Sequence, residues 1–386
     1  MVKHMQTNLG NAVSVIRNQF DTVDFIPLHV PQFWGNEKKY LLDTIDSTFV
    51  SSVGAYVDRV EEQIAQLTSV ARATAVVNGT AGLQVALRIA GVMPGDEVLT
   101  QALTFVATAN AIAYNHATPI FLDVDHDTMG LSPIAVRAFL EEFGELREKG
   151  CFNKKTDKRI SACMPMHTFG FMCRIDEIVA ICAEWGIPVV EDAAEALGSS
   201  YKNRSAGTFG QTGVFSFNGN KIITSGGGGV IVSSDPHFAA RAKYLTTTAK
   251  IPHKWEYVHD ELGYNFRMPN LNAALLSAQL EQFDAYKASK RELFEAYKAD
   301  FQSTGLQLVP IPENTDWNYW LISVMLENKE QRDEFLKDTN DQGVMTRPIW
   351  QLMYRLPMYA GCQRDGQSNA EYLEERIVNI PSSARR

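Results

Sequence analysis

The 386-residue sequence is poor in cysteine, with five residues at positions 151, 163, 173, 182 and 362. The number is odd and no two form a C-x-x-C pair. This usage predicts reduced thiols in a cytoplasmic protein, with no zinc or iron–sulfur centre. No run of about 18 apolar residues occurs, so no helical membrane span is expected. The opening MVKHMQTNLGNAV lacks the apolar core of a secretory signal. Basic residues are not in excess either: 36 Lys+Arg stand against 45 Asp+Glu, a net charge of −9. A general nucleic-acid binder needs a basic face, so that class is disfavoured. A small anionic ligand is not excluded, because a few local donors can hold one. There is no internal repeat and no low-complexity segment.

What is present fits a soluble globular protein, with 45% hydrophobic and 21% charged residues. The length allows a large domain and a smaller one. Helical spacing is expected over 36–46 and 55–68. From about residue 72, short apolar runs alternate with helical patterns. Strands are expected at 73–77, 97–101, 119–124, 160–166, 187–191, 214–217 and 229–233, with an amphipathic helix over 174–185. This alternation predicts an α/β layer with a mostly parallel sheet. A long helix is expected over 270–300, then strand 319–326, helix 329–339 and strand 344–348. The expected division is a large α/β domain over 1–265 and a long helix with a small α+β domain over 266–386. The charged stretch 141–158 reads as a solvated helix and loop.

Three local features could carry chemistry. In Ile187-Pro-Val-Val-Glu-Asp192 an apolar strand ends in a carboxylate, and ligands of parallel sheets sit at the carboxyl ends of strands. Such a carboxylate could keep a pyridine nitrogen protonated, or it could simply cap a helix. In Val214-Phe-Ser-Phe-Asn-Gly-Asn-Lys221 a lysine lies between an apolar strand and the four glycines Gly226–Gly229. Partial desolvation disfavours its charged form and favours Schiff-base chemistry. The alternative is a surface lysine beside a flexible loop. Asn78-Gly-Thr-Ala-Gly82 stands at a strand-to-helix turn, where free N–H groups suit a phosphate. It lacks the Gly-Lys-Ser/Thr ending of a Walker A loop, and it could be an ordinary capped helix start.

Taken together, in this order, these segments resemble the DegT/DnrJ/EryC1/StrS family of sugar-nucleotide aminotransferases, which are fold-type I pyridoxal-phosphate enzymes. Leu103-Thr-Phe-Val-Ala-Thr-Ala-Asn110, Glu191-Asp-Ala-Ala-Glu-Ala-Leu-Gly198 and Leu262-Gly-Tyr-Asn-Phe-Arg-Met-Pro269 extend the match. The resemblance runs from about residue 25 to 383. It implies that Lys221 binds pyridoxal phosphate covalently and shuttles a proton, with Asp192 at the ring nitrogen. It assigns Gly79, Thr80 and Ser216 to the phosphate and Phe105 to the ring face. Glu195 falls near the cofactor's 3-oxygen, where many relatives have Gln or His. Asn265 would reach the phosphate of the other subunit in a homodimer. His167 either faces the site or is structural. Trp320, Arg347 and Trp350 lie in segments that resemble the nucleotide-sugar pocket, or else pack the small domain.

The implied reaction moves an amino group from glutamate to a nucleotide-linked keto-sugar, through the pyridoxamine form of the cofactor. The opening segments resemble enzymes of the bacillosamine and legionaminic-acid pathways, implying UDP-4-keto-6-deoxy-N-acetylglucosamine as acceptor. A dTDP- or GDP-linked keto-sugar is the alternative. A sugar dehydratase on this fold would carry His at the position of Lys221. A non-catalytic binding or regulatory protein on the same fold is the third reading.

Overall fold

Seven short strands, almost all of their residues buried, line up into one layer in the computed structural model, which describes residues 2–386. Their order across the layer is 72–76, 229–233, 212–216, 190–192, 160–164, 97–101 and 118–122. Parallel bridges Cys163–Val189 and Met166–Asp192 join the two halves. Six strands run parallel. Gly229–Ser233 runs against both of its neighbours. Both faces of such a sheet are covered, which explains why its strands read as continuous apolar runs. Val98, Leu99, Val190, Val214 and Val230 have no exposed surface. Each such side chain contributes about 1.5–3 kcal/mol of burial relative to exposure. The fold is therefore α/β with a mostly parallel sheet, as the alternation implied.

The register sets the working end of the layer. Asp192 stands opposite Val214, and Ser216 opposite Gly229. Val76, at the end of its own strand, also faces Gly229. The chain then turns into helix Gly79–Ile89, whose N-cap Asn78 accepts a hydrogen bond from the Ala81 N–H at 2.8 Å. Gly82 lets this helix lie close on the sheet, since a Cβ there would stand 2.7 Å from Val214 Cγ1.

A second, antiparallel sheet has the order 307–308, 323–325, 377–379, 347–348, and helix Lys329–Asp341 packs with it. In the chain, helices Asn270–Glu281 and Phe283–Asp300 precede this sheet, the first of them packed on the helices Glu37–Asp46 and Ala55–Thr68. The single helix expected over 270–300 is thus broken at Gln282, whose φ of −107° and ψ of 5° leave the helical range. The charged stretch 141–158 differs more. The helix ends at Phe143, and 144–147 pairs with 150–153 as a hairpin. Cys151 and Asn153 are buried there, Asn153 because its amide bonds Glu97 and Gln363. Of the strand expected over 319–326, Ser323–Met325 joins the ladder. No helix among the described residues is long and apolar enough to cross a membrane.

Candidate active site

The carboxyl ends of strands 72–76, 190–192 and 212–216 open into a cavity of about 650 Å³, closed on its far side by Trp320, Leu321 and residues 347–351. One end is rich in donors. Asn78, Gly79 and Thr80 begin their helix there, and the first N–H groups of a helix have no intrahelical acceptor. Ser216 lines the same end. Gly79 is pressed against it, and a Cβ on Gly79 would lie 2.9 Å from the Ser216 Cβ. Glycine thus keeps the backbone N–H groups and the hydroxyl within one small cradle, suited to an anion.

The opposite end carries a carboxylate. Asp192 is 3% exposed. Its oxygens accept from the Thr108 hydroxyl at 2.7 Å and the Ala194 N–H at 3.1 Å. Burial pushes the carboxyl above the usual carboxylate range. Those two hydrogen bonds and the charges of Lys221 and His167 oppose the shift. A cation meeting this group would remove much of the cost of burying it.

Lys221 lines the same cavity. Its Nζ donates to Glu195 Oε1 at 3.1 Å and lies 4.2 Å from the centre of the Trp320 ring. Trp320 is fixed in turn, its indole N–H donating to the Asn220 carbonyl at 2.7 Å. The glycine run beyond Lys221 bends through Gly226 at φ +78°, and Asn272 holds it through the Ser225 and Gly227 carbonyls. Glu195 also accepts from the Phe169 N–H at 2.9 Å. Its backbone carbonyl, with that of Leu197, takes the buried amide of Asn318. Phe105, half exposed, stands at the cavity with Trp350 beside it at 6.3 Å and Phe169 behind Trp350 at 4.9 Å.

Ten of the twelve residues singled out from the sequence line this one cavity: Gly79, Thr80, Phe105, Asp192, Glu195, Ser216, Lys221, Trp320, Arg347 and Trp350. Two do not. His167 does not face the site; it is fully buried, with Nε2 3.0 Å from Glu191 and Nδ1 accepting from the Cys173 N–H at 3.4 Å. Burial favours the neutral ring, and Glu191 at Nε2 favours the charged one; the Cys173 N–H at Nδ1 requires that nitrogen to be unprotonated. Glu191 also anchors the 207–210 loop through three N–H bonds. Asn265 lies on an exposed segment, its side-chain oxygen accepting from Arg267 Nε at 3.0 Å. Three contributors escaped sequence reading: Thr108, Phe169 and Asn318. Thr108 carried a signal, since it follows Phe105 by one helical turn. Asn318 carried none.

The model of the DegT/DnrJ/EryC1/StrS aminotransferase family matches residues 32–385. The chain belongs to that family. It is an aminotransferase of the pyridoxal-phosphate-dependent kind, acting on sugar nucleotides. It is 36% identical to the GDP-perosamine synthase of Escherichia coli O157:H7 over 93% of each chain. It is also 36% identical to EpsN of Bacillus subtilis (strain 168), over 93% of this chain and 91% of that one. Among solved structures, the aminotransferase TlmJ from Streptoalloteichus hindustanus superposes with a TM-score of 0.83 at 27% identity, covering 93% of both chains.

Proposed function

We propose that this aminotransferase binds pyridoxal phosphate in the 650 Å³ cavity through Lys221 and moves an amino group from glutamate to a GDP-linked keto-sugar. The observation that carries the reading is the meeting of a helix N-terminus, a buried carboxylate and a lysine amine in one cavity. These groups fit the cofactor. Gly79, Thr80 and Ser216 would hold the phosphate, and Asp192, kept in place by Thr108, would hold the ring nitrogen in its protonated form. When bound, pyridoxal phosphate supplies an electron sink at the carbon bearing the transferred amine and carries that amine, as its pyridoxamine form, between half-reactions.

The chain's own residues do the rest. Lys221 takes a proton from the donor's α-carbon and returns one to the carbon that receives the amine. Phe105, Trp350 and Trp320 keep water from the reacting atoms and leave a flat apolar slot. Arg347, exposed at the cavity, offers charge to a diphosphate. Asn265 is supplied to the partner's cavity in a homodimer. Its position on an exposed segment, with Trp255, Tyr257 and Leu262 exposed nearby in the chain, supports that arrangement.

The similarity to a GDP-perosamine synthase favours GDP over the UDP-linked N-acetylhexosamine expected from the opening segments. Assays with glutamate and a panel of GDP-, UDP- and dTDP-linked keto-sugars, with products identified by NMR, should give the highest kcat/KM for a GDP-linked acceptor. A tenfold or greater preference for a UDP-linked acceptor would reverse the nucleotide assignment and leave the aminotransferase reading standing.

A further inference from the structure

Lys221 can accept a proton from carbon only when its amine is neutral, so an ammonium at this position must first pass its proton to a neighbour. Trp320 presents its ring face to Nζ, and Glu195 is the one hydrogen-bond acceptor of Nζ among the described residues. Glu195 is an unusual neighbour. It is 4% exposed, and apart from Lys221 its carboxylate meets a single N–H donor, from Phe169. We propose that Glu195 is a proton reservoir for Lys221, taking the proton the lysine must shed before each transfer and returning it afterwards. The proposal rests on the reading of Lys221 as the cofactor lysine.

The proton count balances. In one form the pair is ammonium and carboxylate. In the other it is free amine and carboxylic acid, with the O–H formed as the N–H breaks. The lysine lone pair then takes the donor's α-proton while Glu195 keeps its own. Burial suits Glu195 to this work: it raises the carboxyl's proton affinity, and the Lys221 ammonium and the Phe169 N–H pull the other way. The remaining charges near the pair are few. Asp192 lies on the adjacent strand end, and its carboxylate raises the proton affinity of Glu195 further. His167 lies beyond Asp192. His29, from the segment before the family match, stays neutral through burial and the charges of Lys290 and Lys221. A neutral glutamine at position 195 has nearly the same size, keeps one acceptor oxygen for Lys221 or the Phe169 N–H, and stores no proton.

The test compares wild type, Glu195→Gln and Lys221→Ala. Cofactor-free protein is mixed with pyridoxal phosphate across a pH series, and the growth of near-visible absorbance is followed. Without the carboxylate the amine sheds its proton more easily, so the capture midpoint of Glu195→Gln should fall by roughly one pH unit. Turnover should drop by about tenfold to a hundredfold, losing its acid limb. Glu195→Asp, which keeps the charge at shorter reach, should move the midpoint the same way by less. Turnover of Glu195→Gln close to wild type with its acid limb intact, or midpoints equal to wild type in both variants, with unchanged melting temperatures, would overturn the reservoir. Absorbance growth that persists in Lys221→Ala would instead overturn the reading on which it rests.

Discussion

Replacing Lys221 by alanine removes the lysine-imine band of the purified holoenzyme, leaving at most the absorbance of the free aldehyde, and lowers turnover by at least about a thousandfold. The amine is the one primary amine among the side chains that line the cavity. The other nitrogen-bearing side chains lining the cavity are the amides of Asn78, Asn218, Asn220, Gln351 and Asn379, the indoles of Trp320 and Trp350, and the guanidinium of Arg347, none of them a primary amine. The fold should survive. Lys221 sits in a loop, makes one side-chain hydrogen bond, and leaves Trp320 still tied to the Asn220 carbonyl. The loss should therefore appear in the spectrum and in kcat, while the melting temperature of the cofactor-free protein changes little. A variant that kept the lysine-imine band would remove Lys221 from the mechanism.

Asp192→Asn separates binding from chemistry. The side chain is nearly the same size, and its amide oxygen can still accept from Thr108 or Ala194. What disappears is the negative charge that holds a ring nitrogen protonated. Losing an electrostatic contact made to developing charge costs roughly a hundredfold or more in turnover. The near-visible band should remain, because Lys221 is untouched. Wild-type turnover in this variant, measured by stopped-flow and steady-state assays, would show that the carboxylate serves packing alone.

These two residues were legible before any coordinates because their meaning is local. An apolar strand ending in Asp192, and Lys221 between a strand and a glycine run, each state their environment within about ten residues. The helix start at Asn78 is legible for the same reason: an N-cap and the glycines behind it are a short-range code. The parallel layer was legible from the alternation of apolar runs and helical spacing. Its strand order was not, because order is set by contacts between distant segments.

The same distinction explains the differences. His167 reads as a free imidazole until Glu191 and Cys173 arrive from other elements to occupy both of its nitrogens. The hairpin at 144–153 hides in a charged stretch, since its exposed face dominates the composition and its buried residues are Gly144, Cys151 and Asn153. Glu195 and Lys221 lie 26 positions apart, and their pairing depends on how the turn after Asp192 folds back over the lysine loop. Asn318 braces that turn from the far end of the chain, beside Tyr319 at φ 59°. No neighbouring residue announces it.

The central claim is a transamination half-reaction in this cavity, and one spectrum tests it most directly. Purified enzyme loaded with pyridoxal phosphate is scanned before and after the addition of glutamate alone, and 2-oxoglutarate is assayed in the filtrate. The account predicts that the near-visible band gives way to a shorter-wavelength band with one equivalent of 2-oxoglutarate per site, and that a GDP-linked keto-sugar restores the original spectrum. A band that glutamate leaves unchanged, with no 2-oxoglutarate formed, would contradict it.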